Sequence, residues 1–265
     1  MTATTVPTAT TTAISGAVPA VRRPSLARLT TVELRKLADT RAGYWLLIII
    51  GLSAVTLVTA QLVLAGPGER WFDQLFGLSL LPPGVLLPVL GILSVTSEWS
   101  QRTALTTFAL VPIRPRVVAA KLAAVTIAAL ASVLVNLAVA AAGTVVADVI
   151  SGDAGWRFDI WALWHAALAM VISVLMGFAF GMLLLNSPLA IVLYFVLPTA
   201  WSILGELVTR LRGAAEWLDT GLTMAALRTQ ELTGGQWARL GVSVLVWVLV
   251  PLVAGLVRLL RREVS

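Results

Sequence analysis

Six long apolar stretches run through this chain of 265 residues, and they restrict its fold more than any other feature. Each is near or above the ~20 residues that a helix needs to cross a hydrocarbon core ~30 Å thick. In lipid such segments can only be helices, because every backbone polar group must find a partner within the segment. The sequence therefore predicts an all-α, polytopic membrane protein, with spans at about 44–64, 75–96, 117–147, 160–185, 188–207 and 240–260.

Charged residues are scarce in this chain, which places it in the membrane class. Only 12% of its residues are charged and 58% are hydrophobic, whereas soluble domains average roughly 25% charged residues. The chain has 19 Lys and Arg against 13 Asp and Glu, and nucleic-acid-binding proteins also carry such a positive net charge. Here, however, the bases lie at the ends of apolar stretches and are not interleaved with aromatic residues on a soluble domain. No nucleic-acid partner is therefore predicted.

The distribution of basic residues orients the predicted spans. With the N-terminus inside, 13 of the 19 bases lie on the cytoplasmic side and 6 on the outer side, as the positive-inside rule requires. An even number of spans returns the C-terminus to the same side, so both termini are predicted to be cytoplasmic. Arginine outnumbers lysine by 17 to 2, a composition typical of high-GC bacterial genomes. The predicted location is the bacterial plasma membrane.

The N-terminal residues divide into a tail and a helix. Residues 1–24 are rich in Thr and Ala and have no apolar core of signal-peptide length. They predict a disordered cytoplasmic tail before a single transmembrane domain at 25–265. A capping-box pattern at 30–33 predicts a helix that lies in the interface plane; a charged flank that only orients the first span is the alternative. The bases expected to anchor this segment at lipid phosphates are Arg35, Lys36 and Arg41.

Motifs for catalysis are missing from the sequence. It has no cysteine and one histidine, which excludes Cys-type metal sites and HExxH zinc sites. It has neither a GxSxG elbow nor a GxxxxGK[ST] loop, which argues against a serine hydrolase and against ATP binding by this chain. We therefore expect no enzyme activity, and no metal or cofactor bound by this chain.

Ionisable residues within the predicted spans are few and lie near the span ends. Charges in a membrane interior are costly and usually mark function. His165 lies near the outer end of span four, beside Trp161 and Trp164, and is predicted to be an interface histidine rather than a proton-linked group. Glu206 lies at the outer end of span five and is predicted to be a solvated helix cap rather than a substrate contact.

Two glycines and several prolines indicate where helices pack or bend. Gly177 and Gly181 form a GxxxG pattern that allows close helix approach, either within one subunit or between subunits. Pro82, Pro83 and Pro88 are expected to break or kink span two, because proline removes a backbone donor. Such kinks either serve gating or are plain bends.

A polar run at 97–121 separates spans two and three, and it is much longer than a simple turn requires. Within it, residues 99–110 are predicted to form an amphipathic helix with Leu105 and Phe108 on one face, since they are three positions apart. Pro112 is expected to end this helix. The helix either docks in a groove on a soluble protein or lies on the lipid surface as a connector. The bases predicted to anchor the next span at phosphate level are Arg114, Arg116 and Lys121.

These features follow one another in a distinctive order: an acid, a Thr, a helix, a Pro followed by Arg, and a Lys that opens span three. The residues that carry this order are Glu98, Thr103, Leu110, Pro112, Arg114, Arg116, Ala120 and Lys121. The order resembles the pattern after span two in ABC-2 type permeases, and 33–36 followed by Arg41 is similar to the N-terminal connecting helix of that family. The chain departs from the family pattern at Gln101 and Arg102, and in its very short inner turn at 186–188.

The resemblance implies the transmembrane permease subunit of an ATP-binding-cassette transporter, with six spans, an interfacial N-terminal helix and a cytoplasmic coupling helix. Such a subunit usually exports its substrate. It works with a second permease subunit and with two separate ATP-binding subunits, which hold ATP and Mg²⁺. We expect a hydrophobic or amphipathic substrate, with a secondary transporter, a channel, an intramembrane enzyme or an accessory membrane protein as alternatives. The residues implied to couple to the ATPase are Glu98, Arg102, Thr103, Leu105, Thr106, Phe108 and Pro112.

Overall fold

Helices dominate the architecture of the protein. The computed structural model describes residues 24–66, 70–100, 114–152, 154–228 and 232–261. An isolated bridge between Trp71 and Gly155 is the only β-type pairing within these ranges. The α-helices in them are α1 (Leu26–Asp39), α2 (Arg41–Leu64), α3 (Phe72–Ser79), α4 (Leu81–Ser100), α5 (Arg114–Ser151), α6 (Ile160–Leu184), α7 (Ser187–Leu207), α8 (Arg212–Leu218), α9 (Thr220–Ala225), α10 (Gly234–Val244) and α11 (Val250–Arg261).

Within the described ranges, six helical segments are long and apolar enough to cross a membrane, which confirms the all-α, polytopic prediction. The segments exceed the predicted spans by a few residues at most ends, because helices continue past the hydrocarbon edge. The predicted tail lies outside the described residues, apart from Pro24. The bounds of the six segments are Arg41–Leu64, Phe72–Trp99, Arg114–Ile150, Ile160–Leu184, Ser187–Leu207 and Gly234–Arg261.

The orientation of these spans leads to a first prediction. A reporter fused after Ser265 is expected in the cytoplasm, and an epitope inserted at Gly234, an exposed residue, is expected to be reachable from outside intact cells. The physical reason is the excess of bases on the N-terminal side. Antibody labelling before and after permeabilisation measures both positions. An epitope at Gly234 that is reached only after permeabilisation contradicts the six-span topology.

The N-cap of helix α1 lies five residues before the one that the capping-box pattern predicts. Ser25 is its N-cap and accepts a hydrogen bond from the Arg28 N–H at 3.2 Å. The hydroxyl of Thr30 instead donates to the Leu26 carbonyl inside the helix, so the prediction of a capping box at 30–33 is wrong. The reason is that Ser25 satisfies the free N–H groups one turn earlier.

A single residue joins α1 to α2. Thr40 is extended, with φ −72° and ψ 139°; its N–H donates to the Lys36 carbonyl, and its hydroxyl accepts from the Gly43 N–H. Thr40 thus ends one helix and caps the next. A Cβ at Gly43 would meet the Leu37 carbonyl, so the close approach of the two helices requires glycine. This turn fixes α1 against the start of span one.

Span two is broken, as its prolines predict. Helix α3 ends at Ser79 and α4 begins at Leu81. Pro82 and Pro83 occupy the first turn of α4, where a helix needs no backbone donor. The long helix α4 then continues through Pro88 to Ser100, and so includes the first residues of the polar run.

The GxxxG pattern packs within the subunit, which resolves the alternative left open by the sequence. A Cβ at Gly177 would meet the backbone of Pro88, and one at Gly181 would lie 3.0 Å from the Ile92 carbonyl oxygen. From the other side, a Cβ at Gly91 would lie 2.7 Å from the Val174 carbonyl oxygen. Helices α4 and α6 therefore touch backbone to backbone, and they form the centre of the bundle.

Short helices lie between spans five and six, on the predicted outer side of the bundle. Residues 209–218 form a 3₁₀ turn followed by α8. Helix α9 begins at Thr220, directly after Asp219. Span six contains a π-helical segment, Leu245–Leu249, in which the indole N–H of Trp247 donates to the Leu218 carbonyl at 2.7 Å. That bond ties the outer helices to span six.

Candidate functional site

Four charged side chains meet where α1, α4 and α5 come together at the predicted cytoplasmic end of the bundle. Glu33 and Lys36 lie three positions apart on one face of α1, which lets them meet on the helix surface. Glu98 comes from the last turn of α4 and Lys121 from the second turn of α5. Together we call them the four-charge cluster. It contains both lysines of the chain.

Carboxylates and ammonium groups alternate around the cluster. The Lys121 Nζ lies 2.7 Å from Glu33 Oε2 and 3.0 Å from Glu98 Oε1. The Lys36 Nζ lies 2.8 Å from Glu33 Oε1 and 2.9 Å from Glu98 Oε1. Lys121 donates its third hydrogen bond to the Ser94 carbonyl at 3.0 Å. All three donors of Lys121 are therefore satisfied by protein groups.

Burial makes these ion pairs mutually dependent. The side chain of Lys121 is 6% exposed, that of Glu33 9% and that of Glu98 12%. A buried charge is costly unless it is paired and hydrogen-bonded, and here every buried charge has a partner of opposite sign. The cluster therefore holds α1 against the bundle, and it links the end of α4 to the start of α5.

Lys36 is the most accessible member, with a side chain that is 41% exposed. Burial alone would lower the pKa of Lys36, but hydrogen bonds to Glu33 and Glu98, together with their charges, raise it above the ordinary value of 10.5. A raised pKa stabilises the folded state below the unfolded pKa, ~10.4, and this contribution is lost as pH rises through the folded pKa. Lys36 thus stays charged throughout the physiological range.

Lys121 differs from its predicted role. An anchor at lipid phosphates needs an accessible ammonium, yet Lys121 is 5% exposed and bonded to protein. Arg114 and Arg116 donate to the carbonyls of Leu259 and Pro24, at 2.8 and 3.1 Å, and so tie α5 to α11 and to the start of α1. The predicted anchors that lie on the exposed surface are Arg35 and Arg41.

The predicted coupling residues are only partly described. Glu98 lies inside α4, whose helix continues to Ser100. It pairs with lysines of α1 and α5, and it does not stand at the start of a new helix as the sequence predicts. The remaining predicted coupling residues lie outside the described residues; they are Arg102, Thr103, Leu105, Thr106, Phe108 and Pro112.

A cavity of about 680 Å³ opens beside the four-charge cluster. All four charged side chains line its polar end, together with Arg41 at the start of α2. Leu90, Leu93 and Ala124 line its deeper part. Its volume falls within the ~300–1,000 Å³ typical of ligand sites. The cavity is thus amphipathic, with charge at one end and aliphatic walls at the other.

The other ionisable residues singled out in the spans lie apart from this cluster. His165 is 5% exposed, and its ring centroid lies 6.4 Å from that of Trp237; packing against span six buries it more deeply than an interface residue. Glu206 is exposed, as a solvated cap would be. No group of three or more His, Cys, Asp or Glu that could hold a metal occurs within the described ranges.

One buried acid on the predicted outer side was not predicted from the sequence. Asp219 is 4% exposed. One oxygen accepts from the N–H groups of Gly221 and Leu222, at 2.7 and 3.1 Å, and the other accepts from the Ser202 hydroxyl at 2.6 Å. It is the N-cap of α9. The signal for it was an Asp directly before a Thr-Gly pair, a typical helix start.

Comparison with known proteins gives no family and no relative. No family model matches the chain, and no curated protein matches it significantly.

Proposed function

We propose that this chain is the transmembrane permease subunit of an ABC transporter, located in a bacterial plasma membrane and driven by a separate ATP-binding subunit. The observation that carries the proposal is the four-charge cluster. Its members Glu98 and Lys121 flank, in the sequence, the 99–110 segment, which is the part of the chain that resembles a coupling helix. In this proposal the subunit exports a hydrophobic or amphipathic molecule.

The cluster supplies a route by which force on the segment reaches the spans. Glu98 directly precedes residue 99, and Lys121 lies eleven residues after residue 110. Because both are bonded to Glu33 and Lys36 of α1, a displacement of the segment moves α1, α4 and α5 together. A rigid link of this kind is what coupling to an external motor requires.

The packing of span two extends that route to the centre of the bundle. Helix α4 contacts α6 through the backbone at Gly91 and Gly177. Side-chain rotamer changes therefore cannot accommodate a tilt of α4, and α6 must move with it. Span five lies at the periphery: 11% of its most apolar stretch is buried within the subunit, against 56% for span four. Its exposed aliphatic face is available to a second permease subunit or to lipid.

Cysteine crosslinking tests the proposal directly, since the chain has no cysteine of its own. We expect single cysteines placed from Arg102 to Leu110 to crosslink to an ATP-binding subunit that copurifies with the full chain. The yield should rise and fall with the 3.6-residue period of a helix. Single cysteines at Val63 and Leu64, exposed on the predicted outer side, are the matched controls and should not crosslink.

A substitution in the segment gives the second prediction. Phe108→Ala should weaken ATPase copurification by at least about 2 kcal/mol, roughly 30-fold, because it removes an aromatic anchor from a small contact. Arg114→Ala, whose guanidinium contacts α11, should weaken it less. Pull-down at graded ATPase concentration measures both. A purified chain that binds ATP stoichiometrically by itself, or a Phe108→Ala variant with unchanged copurification and transport, contradicts the proposal.

A further inference from the structure

The amphipathic cavity has an excess of positive charge at its polar end. Its charged lining consists of two carboxylates and three bases. The four-charge cluster accounts for two of each, which leaves the guanidinium of Arg41. Within the part of the chain that the structure describes, Arg41 has no hydrogen bond or ion pair, and it is exposed. The cavity therefore offers one uncompensated cation to whatever enters it.

Lys36 adds a second point of attraction. Its ammonium has three donors, two of which go to Glu33 and Glu98, and its side chain is 41% exposed. Lys121, by contrast, uses all of its donors within the protein. An anion at the cavity mouth would thus meet Arg41 and the outward side of Lys36, and would leave the buried pairs intact.

The cavity extends along α4, which belongs to the second span. Leu90 in the middle of α4 and Glu98 in its last turn both line it, and eight residues of helix rise about 12 Å. Beside the mouth, Tyr44 and Trp45 are 55% and 61% exposed, and such aromatic residues lie at the level of lipid headgroups. The polar end is therefore at headgroup depth, and the aliphatic end is at the depth of acyl chains.

We propose that this cavity binds one anionic phospholipid of the cytoplasmic leaflet. Its phosphate lies between Arg41 and Lys36, and the upper part of an acyl chain lies along Leu90, Leu93 and Ala124. The charge complementarity selects an anionic headgroup over a zwitterionic one, whose own cation would face Arg41. The site does not depend on an ATP-binding partner, so it can be tested on the purified chain.

The test uses one cysteine placed inside the cavity of the otherwise cysteine-free chain. Leu93→Cys protein in nanodiscs is treated with an uncharged maleimide, and the alkylation rate is measured. We expect the rate to be about tenfold lower in phosphatidylglycerol than in phosphatidylcholine nanodiscs. Arg41→Gln in the same background should abolish this difference. Arg35→Gln, an exposed base of α1 outside the cavity, should leave it unchanged.

Two controls separate the lipid from other occupants. Leu47→Cys, on the exposed face of α2, should react at the same rate in both lipids. Equal protection of Leu93→Cys in both lipids points to another segment of the chain in the cavity and overturns the proposal. The proposal is also overturned if inorganic phosphate, added to phosphatidylcholine nanodiscs, protects Leu93→Cys as strongly as phosphatidylglycerol does. The ligand would then be the free anion.

Native mass spectrometry of the chain without cysteine gives an independent reading. One dioctanoyl phosphatidylglycerol should bind at least tenfold more tightly than dioctanoyl phosphatidylcholine, and Arg41→Gln should reduce that ratio to near one. Equal affinity for the two lipids contradicts the proposal. The proposal is also contradicted if Arg41→Gln and Arg35→Gln lower the affinity ratio equally.

Discussion

Replacing Lys121 with methionine is expected to lower the free energy of unfolding by about 3–5 kcal/mol. The substitution keeps an unbranched apolar stem of similar length but removes the ammonium that separates Glu33 from Glu98. Two buried carboxylates then lose their main partner, and removing one member of a buried ion pair costs about this much. Thermal or denaturant-induced unfolding of the purified chain in detergent measures the change.

The matched control for Lys121→Met is Arg35→Met. Arg35 is a base on the exposed side of α1, and its replacement should change stability by no more than about 0.5 kcal/mol. Adding Glu33→Gln to Lys121→Met should cost less than the sum of the two single changes, because both remove the same interaction. Strict additivity, or a Lys121→Met variant as stable as the parent chain, would show that the ion pairs do not hold α1.

Replacing Gly177 with leucine is expected to destabilise the bundle by about 3 kcal/mol. A Cβ at this position would meet the carbonyl oxygen and backbone carbons of Pro88. The neighbour is backbone and cannot change rotamer, so α4 and α6 must separate; overpacking of this kind costs up to about 3 kcal/mol and occasionally more. The unfolding temperature of the purified chain and its yield in the membrane fraction report the effect.

Gly51→Leu provides the comparison for Gly177→Leu. Gly51 lies in the middle of α2, and a Cβ there would meet nothing within 4 Å. Both substitutions gain the same intrinsic helix propensity, about 1 kcal/mol, so the difference between them isolates the steric term. If the two variants unfold at the same temperature, the close contact between α4 and α6 is not needed for stability.

The number and type of the spans could be predicted because hydropathy is a local property. Each span is continuous in sequence, and each must satisfy its own backbone in lipid. The break in span two could also be predicted, since Pro82 and Pro83 fit the first turn of a helix far better than its interior. The start of α1 was predicted too late, because the sequence offers two helix starts of similar quality. Thr30 and Glu33 fit a capping box, and Ser25 fits an N-cap.

The four-charge cluster could not be predicted by the same reasoning. Glu33 and Lys121 are 88 residues apart, and a pattern read along one element does not report contacts between elements. A base near the end of an apolar stretch fits a lipid anchor as well as a buried partner, and only packing distinguishes the two. A compositional signal was present: among 17 arginines, the chain keeps lysine only at the two cluster positions. A compact ammonium fits between two carboxylates where a planar guanidinium does not.

The alternation of charge in the cluster also determines how this end of the protein responds to the membrane potential. Moving one elementary charge across the membrane changes the energy by about 2.3 kcal/mol per 100 mV. Two ammonium groups and two carboxylates carry no net charge, so they can shift together along the membrane normal without electrical work. Four charged groups therefore lie next to the bilayer without forming a voltage sensor, and the cluster itself adds no voltage dependence to a motion that carries it with α1, α4 and α5.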